Sequence, residues 1–119
     1  MFYLGIRGKD KSDFAKAEVY FVKAINRAEN EEEANGAYNE LGNIWAAIWK
    51  DTQKLEDYQL ALQLFQKAKM GGHAEGNDNY SLLAHLLPDS YPTLKTLLNH
   101  DLLPFYFETT NKKIQEMTD

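Results

Sequence analysis

Apolar side chains recur at intervals of three and four residues along most of the chain, which is the spacing of one face of an α-helix. The pattern predicts five helices, over residues 14–28, 32–49, 58–70, 79–87 and 93–100. A last helix is predicted to follow the apolar segment over residues 102–107 and to end near Met117. The sequence therefore predicts an all-α fold.

Two of the predicted helices share a motif: an alanine, a phenylalanine four residues later and an alanine three residues after that. The motif occurs at Ala17, Phe21 and Ala24, and again 44 residues later at Ala61, Phe65 and Ala68. Repeats of this period are typical of stacked helical hairpins.

Gly42 lies inside a predicted helix, where glycine costs about 1 kcal/mol relative to alanine. A glycine at such a position indicates that another helix approaches closely. Ala61 and Ala68 lie one turn on either side of Phe65 and leave space beside its ring. We therefore expect Trp45 or Phe65 to fill the space between two antiparallel helices.

These residues resemble the signature of the tetratricopeptide and Sel1-like family of helical repeats. The matching positions are Leu41, Gly42, Trp45, Ala61, Phe65, Ala68 and the segment Gly72-His73-Ala74. The separation of 19 residues between Gly42 and Ala61 corresponds to the longer connector of Sel1-like units. Leu4-Gly5 takes the place of the signature pair in the first unit, so residues 1–8 are predicted to be the tail of a helix.

The resemblance covers residues 1–87 and implies an α-solenoid of antiparallel helix hairpins that binds other proteins. We expect about two and a half to three such repeats. Residues 88–119 are then predicted to be C-terminal helices that cap the exposed end of the array. The alternative for this segment is an exposed docking patch.

Four residues of the helix predicted over residues 32–49 are candidates for partner binding. Asn35, Asn39 and Asn43 recur every four residues and form a polar ridge, although asparagine is a poor helix former. The resemblance implies that this helix lines a concave face, where amides can hydrogen-bond the backbone of a bound segment. The alternative is that they face water. Trp49, at the end of the same helix, is a candidate anchor for a partner.

The charge of the chain narrows the class of partner. The net charge is −5 at pH 7, which disfavours non-specific binding to nucleic acid or to an anionic membrane and favours a basic partner. Glutamates concentrated over residues 29–33 suit the start of a helix; the alternative is contact with a cation or a basic partner. No apolar run approaches the roughly 18 residues of a membrane-spanning helix. We expect a cytoplasmic protein, or a periplasmic one if a signal peptide has been removed.

No catalytic or metal-binding arrangement is recognisable in the sequence. His73, His85 and His100 lack the spacing of metal ligands. The absence of cysteine excludes thiol catalysis and disulfides. The sequence therefore predicts neither a metal nor another cofactor.

The sequence predicts a non-enzymatic module, of bacterial origin, that binds a peptide or protein partner in the groove of a short helical array. One alternative is an immunity or inhibitor protein that neutralises a basic bacterial toxin. A second is a structural fragment of a longer solenoid, and an enzyme is a third.

Overall fold

A computed structural model describes residues 11–118 and contains six α-helices in that range. They are α1 (Lys11–Arg27), α2 (Glu31–Thr52), α3 (Leu55–Met70), α4 (Ala74–His85), α5 (Leu94–Asn99) and α6 (Leu103–Thr118). No strand occurs between residues 11 and 118, so the predicted all-α fold is confirmed there. The predicted helix tail at residues 1–8 lies outside the described residues.

The helix boundaries match the prediction closely except at the starts of α4 and α6. We expected residues 76–79 to form a loop, but α4 already begins at Ala74. His73 caps this helix, because its Nδ1 accepts a hydrogen bond of 2.9 Å from the backbone N–H of Gly76. α6 begins within the apolar segment that we had placed before it, since proline is tolerated in the first turn at Pro104.

Consecutive helices from α1 to α4 pack against each other in antiparallel pairs. Asn35, near the start of α2, donates a hydrogen bond to the carbonyl of Gly71, which follows the end of α3. Tyr58, near the start of α3, donates one to the carbonyl of Leu83, near the end of α4. The contact between α2 and α3 is the most extensive in the described chain.

Gly42 marks a close approach between α2 and α3. A Cβ atom at this position would lie 2.5 Å from two ring carbons of Phe65, whose side chain is fully buried. Of the two residues predicted to fill the space between two antiparallel helices, Trp45 and Phe65, it is therefore Phe65 that does so. Trp45 has a different role, since it is half-buried and lies against Tyr106 of α6.

The two copies of the alanine–phenylalanine–alanine motif lie on helices whose starts, Lys11 and Leu55, are 44 residues apart. They differ in burial: Ala61, Phe65 and Ala68 are fully buried, and Ala17, Phe21 and Ala24 are half-buried. The difference arises because α3 packs between α2 and α4. By contrast, α1 packs on α2 and makes a smaller contact with α6.

The core consists of two clusters of buried apolar side chains, and α2 and α3 contribute to both. One cluster extends towards α4 and α5 and includes Tyr58, Phe65, Leu83 and Leu97. The other extends towards α1 and α6 and includes Val22, Leu41, Leu64 and Leu103. Trp45 packs against both clusters. α2 and α3 therefore form the central pair of the fold.

A buried glutamine attaches the short helix α5 to α3. The carbonyls at the end of a helix lack partners within the helix. Gln63 Nε2 donates hydrogen bonds of 2.8 Å to the carbonyl of Leu97 and 2.7 Å to that of His100. Its Oε1 accepts one of 2.8 Å from the backbone N–H of Leu102, just before α6. Gln59 Nε2 also donates to the carbonyls of Leu97 and His100, at 3.0 and 3.4 Å. Two glutamines of α3 thus hold the end of α5, and Gln63 also holds the start of α6.

Replacing Gly42 by alanine tests the contact between α2 and α3. The added methyl group would overlap the ring of Phe65, which is fully buried. We expect Gly42→Ala to lower the free energy of unfolding by up to about 2 kcal/mol, the overpacking cost less the gain in helix propensity. Gly36→Ala in the same helix meets nothing within 4 Å and should raise it by up to about 1 kcal/mol. Urea denaturation measures both, and equal shifts would contradict the close approach.

Replacing Gln63 by alanine tests the attachment of α5. Gln63→Ala removes three hydrogen bonds and leaves buried carbonyls with poorer partners. We expect the free energy of unfolding to fall by about 1–3 kcal/mol. Gln66→Ala, on the half-buried side of the same helix, serves as the control and should change it by about 0.5 kcal/mol or less. A loss for Gln63→Ala no larger than the control's would show that the glutamine is dispensable.

Candidate binding groove

The three asparagines predicted to bind a partner lie between helices. Asn35, Asn39 and Asn43 are only 5%, 1% and 2% exposed. Asn35 bonds the carbonyl of Gly71, and Asn39 Oδ1 accepts a hydrogen bond of 2.9 Å from Asn79 of α4. The ridge that they form faces the neighbouring helices, and a partner that leaves the helices in place does not reach it.

Trp49, the predicted anchor, is also covered. Its side chain is 6% exposed, and its indole Nε1 donates a hydrogen bond of 2.9 Å to the hydroxyl of Tyr91. That hydroxyl in turn donates one of 2.9 Å to the carbonyl of Gln53, after the end of α2. The segment between α4 and α5 therefore covers Trp49, and Tyr91 of this segment is hydrogen-bonded to the connector between α2 and α3.

An open groove lies at the other side of α2, where its second half meets the first half of α1 and the start of α3. Its volume is about 440 Å³. The apolar side chains that line this α1–α2 groove are Phe14, Ala15, Ile44, Trp45 and Ile48. Its polar and charged lining residues are Glu18, Asp51, Thr52, Lys54 and Asp57. Apolar surface and charge thus occur together at one accessible place.

The charged side chains give the α1–α2 groove a negative balance. Glu18, Asp51 and Asp57 contribute three carboxylates, against the single ammonium group of Lys54. Within residues 13–117, no ion pair neutralises any of these carboxylates. Asp57 does accept a hydrogen bond of 2.6 Å from the hydroxyl of Thr52, which holds its carboxylate at the connector. The groove therefore favours a cationic ligand.

Tyr106 of α6 contacts two residues that line the groove. Its hydroxyl donates a hydrogen bond of 2.6 Å to Glu18 Oε2 and accepts one of 3.2 Å from Trp45 Nε1. Burial first, and then the charge of Glu18 and its hydrogen bond, raise the pKa of the Tyr106 phenol well above its usual range. The phenol thus stays protonated and is a permanent donor to Glu18 at neutral pH.

Two smaller cavities lack the negative balance of the α1–α2 groove. One, of about 390 Å³, lies between α1 and α6, and Lys16 and Lys113 are among its lining residues. The other, of about 300 Å³, lies between the start of α2 and the end of α3. Lys67 and Glu31, both exposed, give it one charge of each sign.

The described part of the chain offers no metal-binding cluster of histidine, aspartate and glutamate side chains. His73 caps α4, and His85 and His100 are exposed. None of the helices between residues 11 and 118 has the length and apolar character needed to cross a bilayer. The α1–α2 groove, which combines apolar lining with three carboxylates, is the strongest candidate for a functional site.

Comparison of the chain with family models, curated proteins and solved structures gives no match. The resemblance to Sel1-like repeats thus stays a prediction.

Sequence reasoning missed the groove, although part of its signal was present. Ile44 and Ile48 are four residues apart and precede Asp51, which indicates an apolar face that ends in an acid. Phe14 is the first residue of the helix predicted over residues 14–28, and nothing local distinguishes a core position from the wall of a groove. Tyr106 lies 61 residues from Trp45 and 88 from Glu18, so only the tertiary fold brings it to the site.

The raised pKa of Tyr106 predicts the direction of the pH dependence of stability. A phenol whose pKa is higher in the folded chain stabilises the fold fully below the unfolded value of about 10, and this contribution is lost as the pH rises through the folded pKa. We therefore expect the free energy of unfolding to fall above about pH 10. Burial also raises the pKa of Tyr58, so Tyr106→Phe should make the fall smaller without abolishing it. Urea denaturation over that pH range measures it; an unchanged slope in Tyr106→Phe would contradict the assignment.

Proposed function

We propose that this chain is a non-enzymatic protein-interaction module whose α1–α2 groove binds a basic polypeptide segment through an apolar anchor. The observation that carries the proposal is the combination, in one open groove, of apolar lining and three carboxylates that no ion pair among residues 13–117 neutralises. The net charge of the whole chain, −5, also supports a basic partner.

Simple energetics limit what the groove binds. Full burial of one leucine-sized side chain contributes about 1.5–3 kcal/mol, and each exposed ion pair contributes about 0–1 kcal/mol. A dissociation constant of 1 mM already requires about 4 kcal/mol. One anchor in the groove therefore needs neighbouring cationic residues, and the ligand is a segment of several residues. The charges then contribute specificity and the rate of association.

The packing of α1 to α4 in consecutive antiparallel pairs supports a short array of helical hairpins similar to Sel1-like repeats. The alanine–phenylalanine–alanine motif lies at the same distance from the start of α1 as from the start of α3, which also supports such an array. In this proposal α5 packs on α3, α6 packs on α1 and α3, and the binding surface lies where α1 leaves the second half of α2 partly open. The binding site is thus the α1–α2 groove, and the buried asparagines maintain the helix packing.

An inhibitor or immunity protein is the specific form of this proposal in which the basic partner is itself an enzyme. The carboxylates of the groove favour this form, because they would lie against a cationic active site. Loss of the partner's activity on binding distinguishes it from an adaptor.

A pair of synthetic peptides tests the proposed function. The first is Lys-Lys-Leu-Leu-Lys-Lys and the second is Glu-Glu-Leu-Leu-Glu-Glu, both with blocked ends and a fluorescent label. We expect the basic peptide to bind, with an affinity that falls as salt is added, and the acidic peptide not to bind. Fluorescence anisotropy gives the dissociation constants. Equal binding of both peptides, or of neither, would refute the proposal.

Charge reversal locates the binding site on the protein. Asp51→Lys places a cation in the groove and should weaken binding of the basic peptide by about tenfold, a cost of about 1.4 kcal/mol. Glu32→Lys makes the same change of charge on an exposed residue at the start of α2, away from the groove. This control should change the affinity by less than about threefold, since its effect is screened. Equal losses in both variants would place the binding site elsewhere.

A further inference from the structure

We propose that Tyr106 is a positioning residue that holds Glu18 ready to bind a cation, and so couples the docking of α6 to occupation of the groove. The inference rests on the proposed function. It names a residue outside the lining of the groove that determines the groove's preference for a basic ligand.

The geometry of the phenol carries the first step. Its hydroxyl lies between Glu18 Oε2 at 2.6 Å and Trp45 Nε1 at 3.2 Å, so one oxygen orients a carboxylate and an indole that both line the groove. The rings of Trp45 and Tyr106 meet edge to face, with centroids 5.8 Å apart. Glu18 is half-buried, and its bond to Tyr106 restricts the rotamers that its side chain can adopt.

The carboxylate keeps capacity for a ligand while it is held. Tyr106 donates to Oε2, and an ionised carboxylate accepts further hydrogen bonds at its second oxygen. A lysine or arginine of the partner therefore meets a charge whose orientation is already set. Binding to a preorganised group avoids the entropy cost of ordering it, which makes the complex tighter.

The same bond connects the groove to the C-terminal helix. α6 makes only a limited contact with α1, and the Tyr106–Glu18 hydrogen bond ties the two helices beside the groove. An exposed bond of 2.7 Å between Asn26 and Asn111 ties them at the opposite end of α1. Coupling between two events is reciprocal. A cation that binds the held form of Glu18 therefore also stabilises the docked position of α6.

A second peptide pair separates positioning from a general loosening of the fold. It consists of Lys-Lys-Leu-Leu-Lys-Lys and a neutral analogue in which glutamine replaces every lysine. Wild-type protein should prefer the basic peptide. Tyr106→Phe should weaken the basic peptide by about threefold to tenfold, the effect expected from loss of one preorganised side chain. It should leave the neutral peptide unchanged, because the apolar lining remains.

The control is Asn111→Ala, which removes the exposed hydrogen bond between Asn26 of α1 and Asn111 of α6. It should leave the preference for the basic peptide within about twofold of wild type. Glu18→Gln should reduce the preference, and Tyr106→Phe combined with Glu18→Gln should reduce it no further than Glu18→Gln alone, because both changes act on one interaction. If Tyr106→Phe keeps the wild-type preference, or weakens both peptides equally, the positioning role is refuted.

A measurement on the wild-type protein does not depend on the folding of any variant. A saturating concentration of the basic peptide should slow hydrogen exchange of the α6 backbone amides, whereas the neutral analogue should slow it less. Exchange in α6 that does not respond to the basic peptide would overturn the coupling while the proposed function stands. Failure of wild type to bind the basic peptide would instead overturn the proposed function, and this inference with it.

Discussion

The close approach of α2 and α3 at Gly42 is the constraint on which the rest of the packing depends. Because Gly42 has no side chain, the ring of Phe65 lies directly against the backbone of α2. A similar contact recurs on the next interface, where a Cβ atom on Gly76 of α4 would lie 2.6 Å from that of Ala68 on α3. Small residues therefore determine how closely three successive helices approach. α1 and α6 then pack against the pair that α2 and α3 form.

Hydrogen bonds from buried side-chain amides fix the relative positions of helices that apolar packing alone leaves less defined. Asn39 pairs with Asn79, and Gln63 reaches the carbonyls beyond α5. An apolar contact tolerates small shifts, but a hydrogen bond in a medium of low polarity requires its partner at one position. The arrangement has a cost, since Asn39 Nδ2 is buried without a partner in the described chain. The core thus gives up some stability and gains a defined relation of α4 to α2 and of α5 to α3.

Local spacing was sufficient to predict the helices, because a helix depends on residues a few turns apart. It left Trp45 and Phe65 as alternatives for the residue that lies between two helices. It could not decide what the ridge of Asn35, Asn39 and Asn43 faces, since that depends on where α3 and α4 pack. The early start of α4 was missed because His73 is not among the preferred capping residues. The groove is harder still to predict. Its apolar walls have the periodicity of core positions, and their exposure follows only from how far α1 covers α2.

Charge explains why an exposed apolar groove need not lead to self-association. In the described part of the chain, α2 has 22 residues and α1 has 17, so the described residues of α1 cover only part of the length of α2. Exposed apolar surface favours association by about 25 cal/mol for each Å² that it buries. A second copy of this chain would, however, bring its own carboxylates against Glu18, Asp51 and Asp57, and like charges at an interface disfavour the complex. Under the proposed function, the same three side chains that disfavour a second copy attract a basic segment. The proposed selectivity of this groove then depends as much on the partners that it rejects as on the one that it binds.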